Sequence, residues 1–252
     1  MPRLATPSYT REVEIRGASA LVTGAGRGIG RAISLALAGA GARVTVVSRT
    51  AAELDTLVGE IEGRGGRAVA YAGDLTRGEA CDEAVARAVE AHGGLRVLVN
   101  NAGVGGFAPV AETSDELWER IFGTNVTAAF RLTRAALPHL GRQGGEIFMI
   151  SSLAGANATA NLAAYSASKA ALDHFSRCLM LEVRDQGIKV TTIAPGSVDT
   201  DFGGPTHRSG RETSWMLRPE DIAAAVLDLL RTREDAHASR VEMRPLRPPR
   251  RA

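Results

Sequence analysis

The chain has 252 residues, of which 44% are hydrophobic and 23% are charged, and its formal net charge at pH 7 is +2. This length is enough for one large domain with a substantial core, and the composition is ordinary for a globular protein. A nearly balanced charge, and the lack of any run of about 18 apolar residues, give no reason to expect a nucleic-acid or membrane partner.

Short runs rich in β-branched residues alternate with longer helical patterns along the chain. The runs that indicate strands are Ala18–Thr23, Arg43–Ser48, Ala68–Ala72, Leu95–Asn100, Glu146–Ser151 and Ile188–Ala194. The patterns that indicate helices are Gly28–Ala40, Ala51–Arg64, Arg77–His92, a long segment capped by Ser114 and running towards Pro138, a segment beginning at Leu162, and one after Pro219. This alternation predicts an α/β fold, a single domain over residues 1–252 with a doubly wound parallel sheet and helices on both faces. In such sheets, ligands bind at the carboxyl ends of the strands.

A glycine-rich turn, Thr23-Gly-Ala-Gly-Arg-Gly-Ile-Gly30, separates the first predicted strand from the first predicted helix. Glycine permits a tight turn and lets the amides at a helix N-terminus approach a pyrophosphate closely. The spacing Gly24-x-x-x-Gly28-x-Gly30 differs from the dinucleotide fingerprint G-x-G-x-x-G, so a simple loop is an alternative. The strand–turn–helix setting favours a dinucleotide site.

The end of the second predicted strand bears on the type of dinucleotide, because an acidic residue there binds the ribose hydroxyls of NAD. The chain has Ser48 at this place, followed by Arg49, and Arg27 lies in the glycine-rich turn. Arginine suits a 2′-phosphate, so the sequence favours NADP(H) over NAD(H). The alternative is that both arginines are surface charges in an arginine-rich chain.

Tyr165 and Lys169 lie four residues apart in the predicted helix that begins at Leu162. They should be neighbours on one helix face, where an ammonium lowers the pKa of a phenol and makes Tyr165 a general acid or base. An ordinary solvated lysine is the alternative. The chain has 30 Lys and Arg residues, but its only lysines are Lys169 and Lys189, so a lysine here indicates a need for a compact ammonium.

Several motifs together resemble the short-chain dehydrogenase/reductase family, from about Ala18 to Thr200 and more weakly beyond Pro219. In chain order they are the glycine-rich turn, Asp74, Asn100-Asn-Ala-Gly103, Asn125, Ser152, Tyr165-x-x-x-Lys169 and Pro195-Gly-Ser-Val-Asp-Thr200. The resemblance implies a Rossmann fold with Asn125, Ser152, Tyr165 and Lys169 as the catalytic set. The cofactor site that it implies, together with the residues above, is Gly24, Arg27, Gly28, Ile29, Gly30, Ser48, Arg49, Asp74, Leu75, Asn101, Ala102, Gly103, Tyr165, Lys169, Pro195, Gly196, Val198 and Thr200. Taken singly, the asparagines, serines and Pro195-Gly196 have plain explanations as turn or helix-surface residues.

The function expected from these features is NADPH-dependent hydride transfer between the nicotinamide and a small-molecule carbonyl or secondary alcohol. In this expectation Tyr165 exchanges the proton and Ser152 steers the carbonyl oxygen. Lys169 lowers the pKa of Tyr165 and holds the nicotinamide ribose, while Asn125 supports a water that relays protons. A regulator that binds NADP(H) without turnover is an alternative.

A second alternative, implied by the resemblance, is 3-oxoacyl-[acyl-carrier-protein] reductase, the activity of bacterial relatives. The two basic residues with which those enzymes dock the acidic carrier align with Gln143 and Gln186, although Arg142 could substitute for one. We therefore rank a carrier-bound acyl substrate below a freely diffusing one.

Residues 200–218 contain three glycines and no regular period, so we expect a lid over the substrate. Its apolar contacts would be Phe202, Trp215 and Met216, and its polar ones His207, Arg208 and Arg211. The prolines after Arg240 rule out a central strand there, and the basic segment from about residue 245 is expected to be an irregular surface tail. We expect a homodimer or homotetramer formed through the long helices.

The sequence gives no indication of a disulfide, a metal site or a signal peptide. Cys81 and Cys178 form no C-x-x-C, the five histidines have no paired-ligand spacing, and residues 1–17 lack the apolar region of a signal peptide. We therefore expect no disulfide, no metal site and a cytoplasmic protein.

Overall fold

The computed structural model describes residues 15–140, 144–202 and 212–248, in which strands and helices alternate along the chain. The strands are β1 (Ser19–Thr23), β2 (Arg43–Ser48), β3 (Arg67–Ala72), β4 (Val97–Asn100), β5 (Glu146–Ile150), β6 (Lys189–Pro195) and β7 (Arg240–Met243). The α-helices are α1 (Gly28–Gly39), α2 (Ala51–Gly63), α3 (Gly78–His92), α4 (Asp115–Phe122), α5 (Ala128–Ala136), α6 (Ala163–Val183) and α7 (Pro219–Leu230).

Within those residues, the seven strands form one parallel sheet in the order β3-β2-β1-β4-β5-β6-β7. The chain builds outwards from β1 to β3, returns to place β4 on the other side of β1, and then builds outwards to β7. In register, Val22 of β1 lies between Val46 of β2 and Val99 of β4. The predicted doubly wound parallel sheet is confirmed, and the reversal between β1 and β4 opens a crevice at their carboxyl ends.

Two hydrophobic cores cover the two faces of the sheet. Successive residues of a strand point to opposite faces, so Val22 packs into one core and Leu21 into the other. Residues of α1, α2 and α7 complete the first core, and residues of α3, α5 and α6 complete the second. Helices therefore lie on both faces, as predicted.

The helix predicted from Ser114 towards Pro138 is interrupted. Ser114 caps it as expected, since its hydroxyl accepts a hydrogen bond from the Leu117 amide at 3.2 Å. After α4, however, one π-helical segment, Gly123–Thr127, precedes α5, and Asn125 is buried within it. Such local widening of a helix is common at functional sites.

A seventh strand that the sequence did not predict, β7, forms an edge of the sheet. It pairs in parallel with β6, from Thr192 opposite Arg240 to Pro195 opposite Met243. Pairing ends before Pro245, which accords with the restriction of proline to edges and strand ends.

Candidate active site

A cleft of about 1020 Å³ opens along the carboxyl ends of β1, β2, β4, β5 and β6. Almost all of the residues assigned from the sequence line it: Gly24, Arg27, Gly28, Ile29, Ser48, Arg49, Asp74, Leu75, Asn101, Ala102, Gly103, Ser152, Tyr165, Lys169, Pro195, Gly196, Val198 and Thr200. Gly30 and Asn125 lie behind this lining. The cleft spans the topological switch point and is large enough for a dinucleotide with a small substrate beside it.

The glycine-rich turn forms one end of the cleft. Gly24 and Gly28 have φ of +63° and +56°, a conformation that favours glycine. A Cβ on Gly30 would lie 2.3 Å from the carbonyl oxygen of Gly24, so only glycine lets α1 start this close to the turn. The arrangement is a backbone cradle at a helix N-terminus, which fits a pyrophosphate.

Thr23 and Asn101 join this turn to the end of β4. The Thr23 hydroxyl donates to the Val99 carbonyl at 3.2 Å and accepts from the amides of Asn101 and Ala102, both at 3.0 Å. The Asn101 side chain donates in return to the carbonyl oxygens of Thr23 at 2.8 Å and of Gly24 at 3.2 Å. Asn101 therefore braces the cradle from behind, which accounts for its position in the site without a catalytic role.

Ser48, Arg49 and Asp74 lie together at the end of the cleft beside β2 and β3. The Asp74 carboxylate accepts from the Thr76 amide at 3.1 Å and from its hydroxyl at 2.9 Å. The amide bond is the main reason that the pKa of Asp74 lies below its usual value, and Arg49 contributes to the same direction. Asp74 is thus a fixed anion beside the place expected for adenine.

Glu53 is an acidic lining residue that the sequence did not identify. It is in the first turn of α2, and a Cβ on Gly26 would lie only 2.2 Å from its Oε2, so the carboxylate rests against the glycine-rich turn. The sequence feature that could have identified Glu53 is an acidic residue shortly after the second strand. Its charge opposes that of Arg27 and Arg49 at this end of the cleft.

Tyr165 and Lys169 lie one turn apart on α6, as predicted, with the Lys169 Nζ 5.8 Å from the centroid of the Tyr165 ring. The ammonium is buried and donates to the Ile150 carbonyl oxygen at 2.9 Å. Burial lowers the pKa of Lys169 to about 8, and the Asp173 carboxylate one turn further along α6 opposes this shift. Lys169 therefore has a specific hydrogen-bonded place and is not a solvated surface residue.

In the geometry found, burial acts against the lowering of the Tyr165 pKa that the sequence leads us to expect from Lys169. Burial raises the pKa of Tyr165 to about 12, and the opposing influence is a hydrogen bond from the Ser152 hydroxyl. The sequence places the two side chains one turn apart but says nothing about the desolvation of the phenol, which here outweighs the nearby charge. Tyr165 is accordingly a neutral phenol around pH 7.

Ser152 and Asn125 approach this pair from two sides. The Ser152 hydroxyl accepts from the Ala154 amide at 3.1 Å, which fixes the turn after β5. Asn125 Oδ1 accepts from the Val104 amide at 2.8 Å, and its Nδ2 donates to the Val104 carbonyl oxygen and to Ser168 Oγ, both at 3.0 Å. With its amide group engaged in this way, Asn125 holds the chain after β4 against α6.

The segment after β6 closes the cleft opposite Tyr165. The ring centroid of Phe202 lies 5.5 Å from that of Tyr165. Phe202, Trp215 and Met216, the apolar contacts expected from the sequence, all line the cleft. His207, Arg208 and Arg211 lie outside the described residues, as do Arg142 and Gln143, and Gln186 is exposed in a turn away from the cleft.

The C-terminal segment has no regular structure after Met243 and is mostly exposed from Leu246, but part of it borders the cleft. Arg244, Pro245 and Pro248 line the cleft, and a Cβ on Gly196 would lie 3.1 Å from Pro245 Cδ and 3.2 Å from Leu153 Cδ1. Pairing of β7 with β6 carries the chain to this place. The sequence did not indicate β7, because the prolines that follow it are typical of irregular structure.

No helix among the described residues is long and apolar enough to cross a membrane. Within the same ranges, no group of three or more His, Cys, Asp or Glu side chains could hold a metal ion, and Cys81 and Cys178 are free thiols.

Residues 18–209 match the family model of short chain dehydrogenases. The chain is 39% identical over 230 residues to D-erythrulose reductase of Gallus gallus, covering 87% of this chain and 90% of that protein. A short chain dehydrogenase of Pseudocercospora fijiensis is 35% identical over 195 residues, covering 76% of this chain and 63% of that protein. A metagenomic short-chain oxidoreductase solved with NADP superimposes with a TM-score of 0.82 at 34% identity, covering 93% of this chain and all of that one. Other similar structures were solved with NADP and some with NADH or NAD.

Proposed function

This chain belongs to the short-chain dehydrogenase/reductase family, and we propose that it is an NADPH-dependent oxidoreductase that interconverts a small carbonyl compound and the corresponding alcohol. The single observation that carries the proposal is the placement of Tyr165, Ser152 and Lys169 in the same cleft as the glycine-rich cradle. A proton donor and a dinucleotide cradle in one cleft are what reduction of a carbonyl requires.

The residues present fit a nicotinamide dinucleotide. The glycine-rich turn offers room and backbone amides for a pyrophosphate, Asp74 and Leu75 flank the place for adenine, and Pro195 to Thr200 form the opposite wall. When bound, the cofactor supplies a hydride to the carbonyl carbon or accepts one from the alcohol.

The preference for NADP(H) is supported by Ser48, Arg49 and Arg27, which line the cleft at the end where a 2′-phosphate would be bound. A guanidinium can donate two parallel hydrogen bonds to such a phosphate. A carboxylate in place of Ser48 would have favoured the free ribose hydroxyls of NAD. Glu53 weakens the positive potential of this end but lies against Gly26, not at the end of β2.

In the reducing direction, Tyr165 donates its phenolic proton to the substrate oxygen as negative charge develops there. A phenol with a pKa of about 12 keeps its proton at neutral pH and still is acidic enough to give it to an alkoxide. The carbonyl carbon gains a hydride and its oxygen gains this proton, which yields the alcohol. The Ser152 hydroxyl orients the oxygen by hydrogen bonding.

Lys169 stabilises the phenolate that this transfer leaves behind. Its ammonium is fixed by Ile150 one helical turn from Tyr165, so the charge is in place before the reaction and needs no reorganisation. The raised pKa of Tyr165 makes the phenolate scarce near pH 7. The protonated form of Tyr165 is the one that carbonyl reduction requires.

Association of this chain with itself is supported by apolar side chains exposed on the second face. Trp118 on α4 is 43% exposed and stacks on Phe122, Phe130 on α5 is 43% exposed, and Leu181 on α6 is 57% exposed. Large exposed aromatic groups on adjacent helices are typical of protein interfaces. We propose a homodimer or homotetramer in which these helices pack together, and sedimentation of the purified protein tests it.

The function is tested by following NADPH consumption with ketones, aldehydes and 3-oxoacyl thioesters, using Tyr165→Phe as the matched control. Consumption with at least one carbonyl compound, abolished by Tyr165→Phe but with cofactor affinity retained, is the expected result. Preference for carrier-bound thioesters would identify an acyl-carrier-protein reductase instead. Tight NADPH binding without any turnover would overturn the proposal in favour of a non-catalytic regulator.

A further inference from the structure

Four charged side chains form a continuous row along β7 and onto α6. Arg240 Nη1 donates to Asp173 Oδ2 at 2.7 Å, and Arg240 Nη2 donates to Glu242 Oε1 at 3.2 Å. Arg244 Nη2 donates to Glu242 Oε2 at 2.8 Å. Residues 240, 242 and 244 alternate with Val241 and Met243, so the three charged side chains share the strand face that meets α6. Arg244 is the end of this row.

The row places Arg244 level with Tyr165. The Asp173–Arg240 contact aligns α6 with β7, and α6 runs antiparallel to the strands because it connects β5 to its parallel neighbour β6. From Arg240, four strand residues advance about 13 Å to Arg244. From Asp173, eight helical residues advance about 12 Å in the same direction to Tyr165. Arg244 and Tyr165 therefore lie at about the same level along the strand direction, at the end of the sheet where the cleft opens.

The residues on either side of Arg244 contact the part of the cleft where Ser152 and Gly196 lie. The Gly196 amide donates to the Met243 carbonyl oxygen at 2.8 Å, one residue before Arg244. Pro245, one residue after it, meets Gly196 next to Leu153, which directly follows Ser152. Arg244 thus lies between two residues that contact the wall of the site, and Arg244 is itself one of the residues that line the cleft.

The chemistry around Arg244 leaves it able to bind an anion. Among the described residues its recorded hydrogen bond is a single one to Glu242, and a guanidinium has several further N–H donors in a planar fork. The side chain is 56% exposed at the mouth of the cleft. The nearby cation Lys169 is buried and directed at Ile150. The cleft lining also includes the apolar residues Phe107, Phe202, Trp215 and Met216 and the acidic residues Asp199 and Asp201.

Resting on the proposed function, we propose that Arg244 is a specificity-determining residue that binds an anionic oxygen group, a carboxylate or a phosphate, on the carbonyl or alcohol substrate. Glu242 holds the guanidinium in place, and its fork pairs with two oxygens of the substrate group. The preferred substrates are then oxo acids or ketone phosphates and not neutral ketones.

The test compares each anionic substrate with a neutral counterpart. Short oxo carboxylates are paired with their methyl esters, and a ketose phosphate is paired with the free ketose, in the NADPH-loaded protein. The variant Arg244→Met removes the donors and keeps an extended apolar stem, with Arg244→Gln as a second variant should the first be insoluble. The control is Arg247→Met, which changes an exposed arginine of the same segment outside the cleft lining.

We expect the unmodified protein and Arg247→Met to prefer the anionic member of at least one pair. Arg244→Met should lower kcat/KM for that member by about ten- to hundredfold, the range for a charge-assisted hydrogen bond, and leave the neutral member unchanged. If Arg244→Met lowers kcat/KM for the oxo carboxylate alone, Arg244 binds a carboxylate. If it lowers kcat/KM for the ketose phosphate alone, Arg244 binds a phosphate. No anionic preference, or equal effects of the two methionine variants, overturns the inference while the proposed function stands.

A binding measurement separates this inference from the proposed function. Butyrate and inorganic phosphate are titrated calorimetrically against the NADPH-loaded protein, with butyramide as the neutral probe. If no carbonyl compound is turned over, the proposed function fails, but binding of either anion by the unmodified protein and Arg247→Met, lost in Arg244→Met, still supports an anion site at Arg244. Binding that Arg244→Met retains contradicts it.

Discussion

Asp173 accepts a hydrogen bond from Arg240 at 2.7 Å, and this contact joins the helix that carries Lys169 to the last strand of the sheet. Asp173 is 6% exposed and stands one helical turn beyond Lys169. A Cβ on Gly155 would lie 2.9 Å from Asp173 Oδ2, so the carboxylate also packs against the turn that follows Ser152. The edge strand is thereby connected to two parts of the candidate site, the helix of Lys169 and the turn after Ser152.

The first prediction concerns Asp173→Asn. The Asp173 carboxylate supports the protonated form of Lys169, whose pKa burial has lowered to about 8, so its removal should lower that pKa further. As the pH rises, the variant should then lose the activity that requires the ammonium at a lower pH than the unmodified protein does. The measurement is the alkaline limb of the kcat/KM profile, supported by the pH dependence of NADPH binding.

The control for this prediction is Glu242→Gln, which changes another partner of Arg240 but leaves Asp173 charged. The lowered pKa of Lys169 has burial as its main cause, and the Asp173 carboxylate opposes it. An alkaline limb that moves equally in both variants, or in neither, would show that Asp173 has only a packing role.

The second prediction concerns the choice of cofactor. With Ser48 and Arg49 at the end of β2, NADPH should bind at least tenfold more tightly than NADH, a difference of about 1.4 kcal/mol. Arg49→Asp should erase or invert this preference. The substitution replaces a guanidinium that donates hydrogen bonds to a phosphate with a carboxylate that accepts them from ribose hydroxyls. The dissociation constants of both cofactors are measured by fluorescence titration, with Arg87→Asp on α3 as the control. Equal affinities in the unmodified protein would refute the assignment.

The third prediction concerns Glu53, whose carboxylate rests against the glycine-rich turn. A negative charge at the backbone cradle repels any phosphate that approaches it, so Glu53→Gln should tighten binding of both NADPH and NADH by about three- to tenfold. The gain should shrink as salt is added. Glu62→Gln, an exposed position on the same helix outside the cleft, should have no effect. Weaker binding by Glu53→Gln would show that the carboxylate instead organises the turn.

The alternation of strands and helices, and the location of the site at the carboxyl ends of the strands, could be predicted from the sequence because local patterns indicate them. Buried parallel strands appear as short apolar runs, and the glycines from Gly24 to Gly30 stand between a predicted strand and a predicted helix. Tyr165 and Lys169 could be placed on one face because a helix repeats every few residues. These are all relationships between residues close together in the chain.

The features that the sequence did not reveal depend on residues far apart in the chain. β7 is a strand because β6 offers it an unpaired edge, and only that pairing carries Arg244 into the cleft. The pKa of Tyr165 follows from burial under segments such as that of Phe202. Burial of Asn125 in a π-helical segment depends on its fit to Val104. No local pattern encodes such tertiary contacts.

The fourth prediction is that Lys169→Arg is severely damaging although it keeps the charge. The Lys169 Nζ occupies a restricted place, 2.9 Å from the Ile150 carbonyl oxygen and 3.5 Å from the point where a Cβ on Gly103 would be. The wider guanidinium cannot occupy that place without displacing the chain after β4. We expect kcat/KM to fall by about a hundredfold, close to 2.7 kcal/mol. Lys189→Arg, at the opposite end of the sheet, is the control, and near-normal activity of Lys169→Arg would contradict the need for a compact ammonium.

The last prediction concerns Glu146, which is 3% exposed at the start of β5, at the end of the sheet away from the cleft. Burial raises its pKa to about 7, although the neighbouring charges of Lys189 and Arg96 act in the opposite direction. Because the folded pKa exceeds the unfolded one of 4.5, the folded protein binds more protons than the unfolded chain between these values. The free energy of unfolding should therefore decrease as the pH rises from about 4.5 to about 7, by an amount that approaches about 3 kcal/mol for this group.

Glu146→Gln removes the titration, so urea unfolding at pH 5 and pH 8 should show a smaller difference in stability than in the unmodified protein. Glu182→Gln, an exposed carboxylate on α6, provides the control and should leave the difference unchanged. A pH dependence that Glu146→Gln leaves intact would mean that Lys189 and Arg96 keep the carboxylate ionised in the fold.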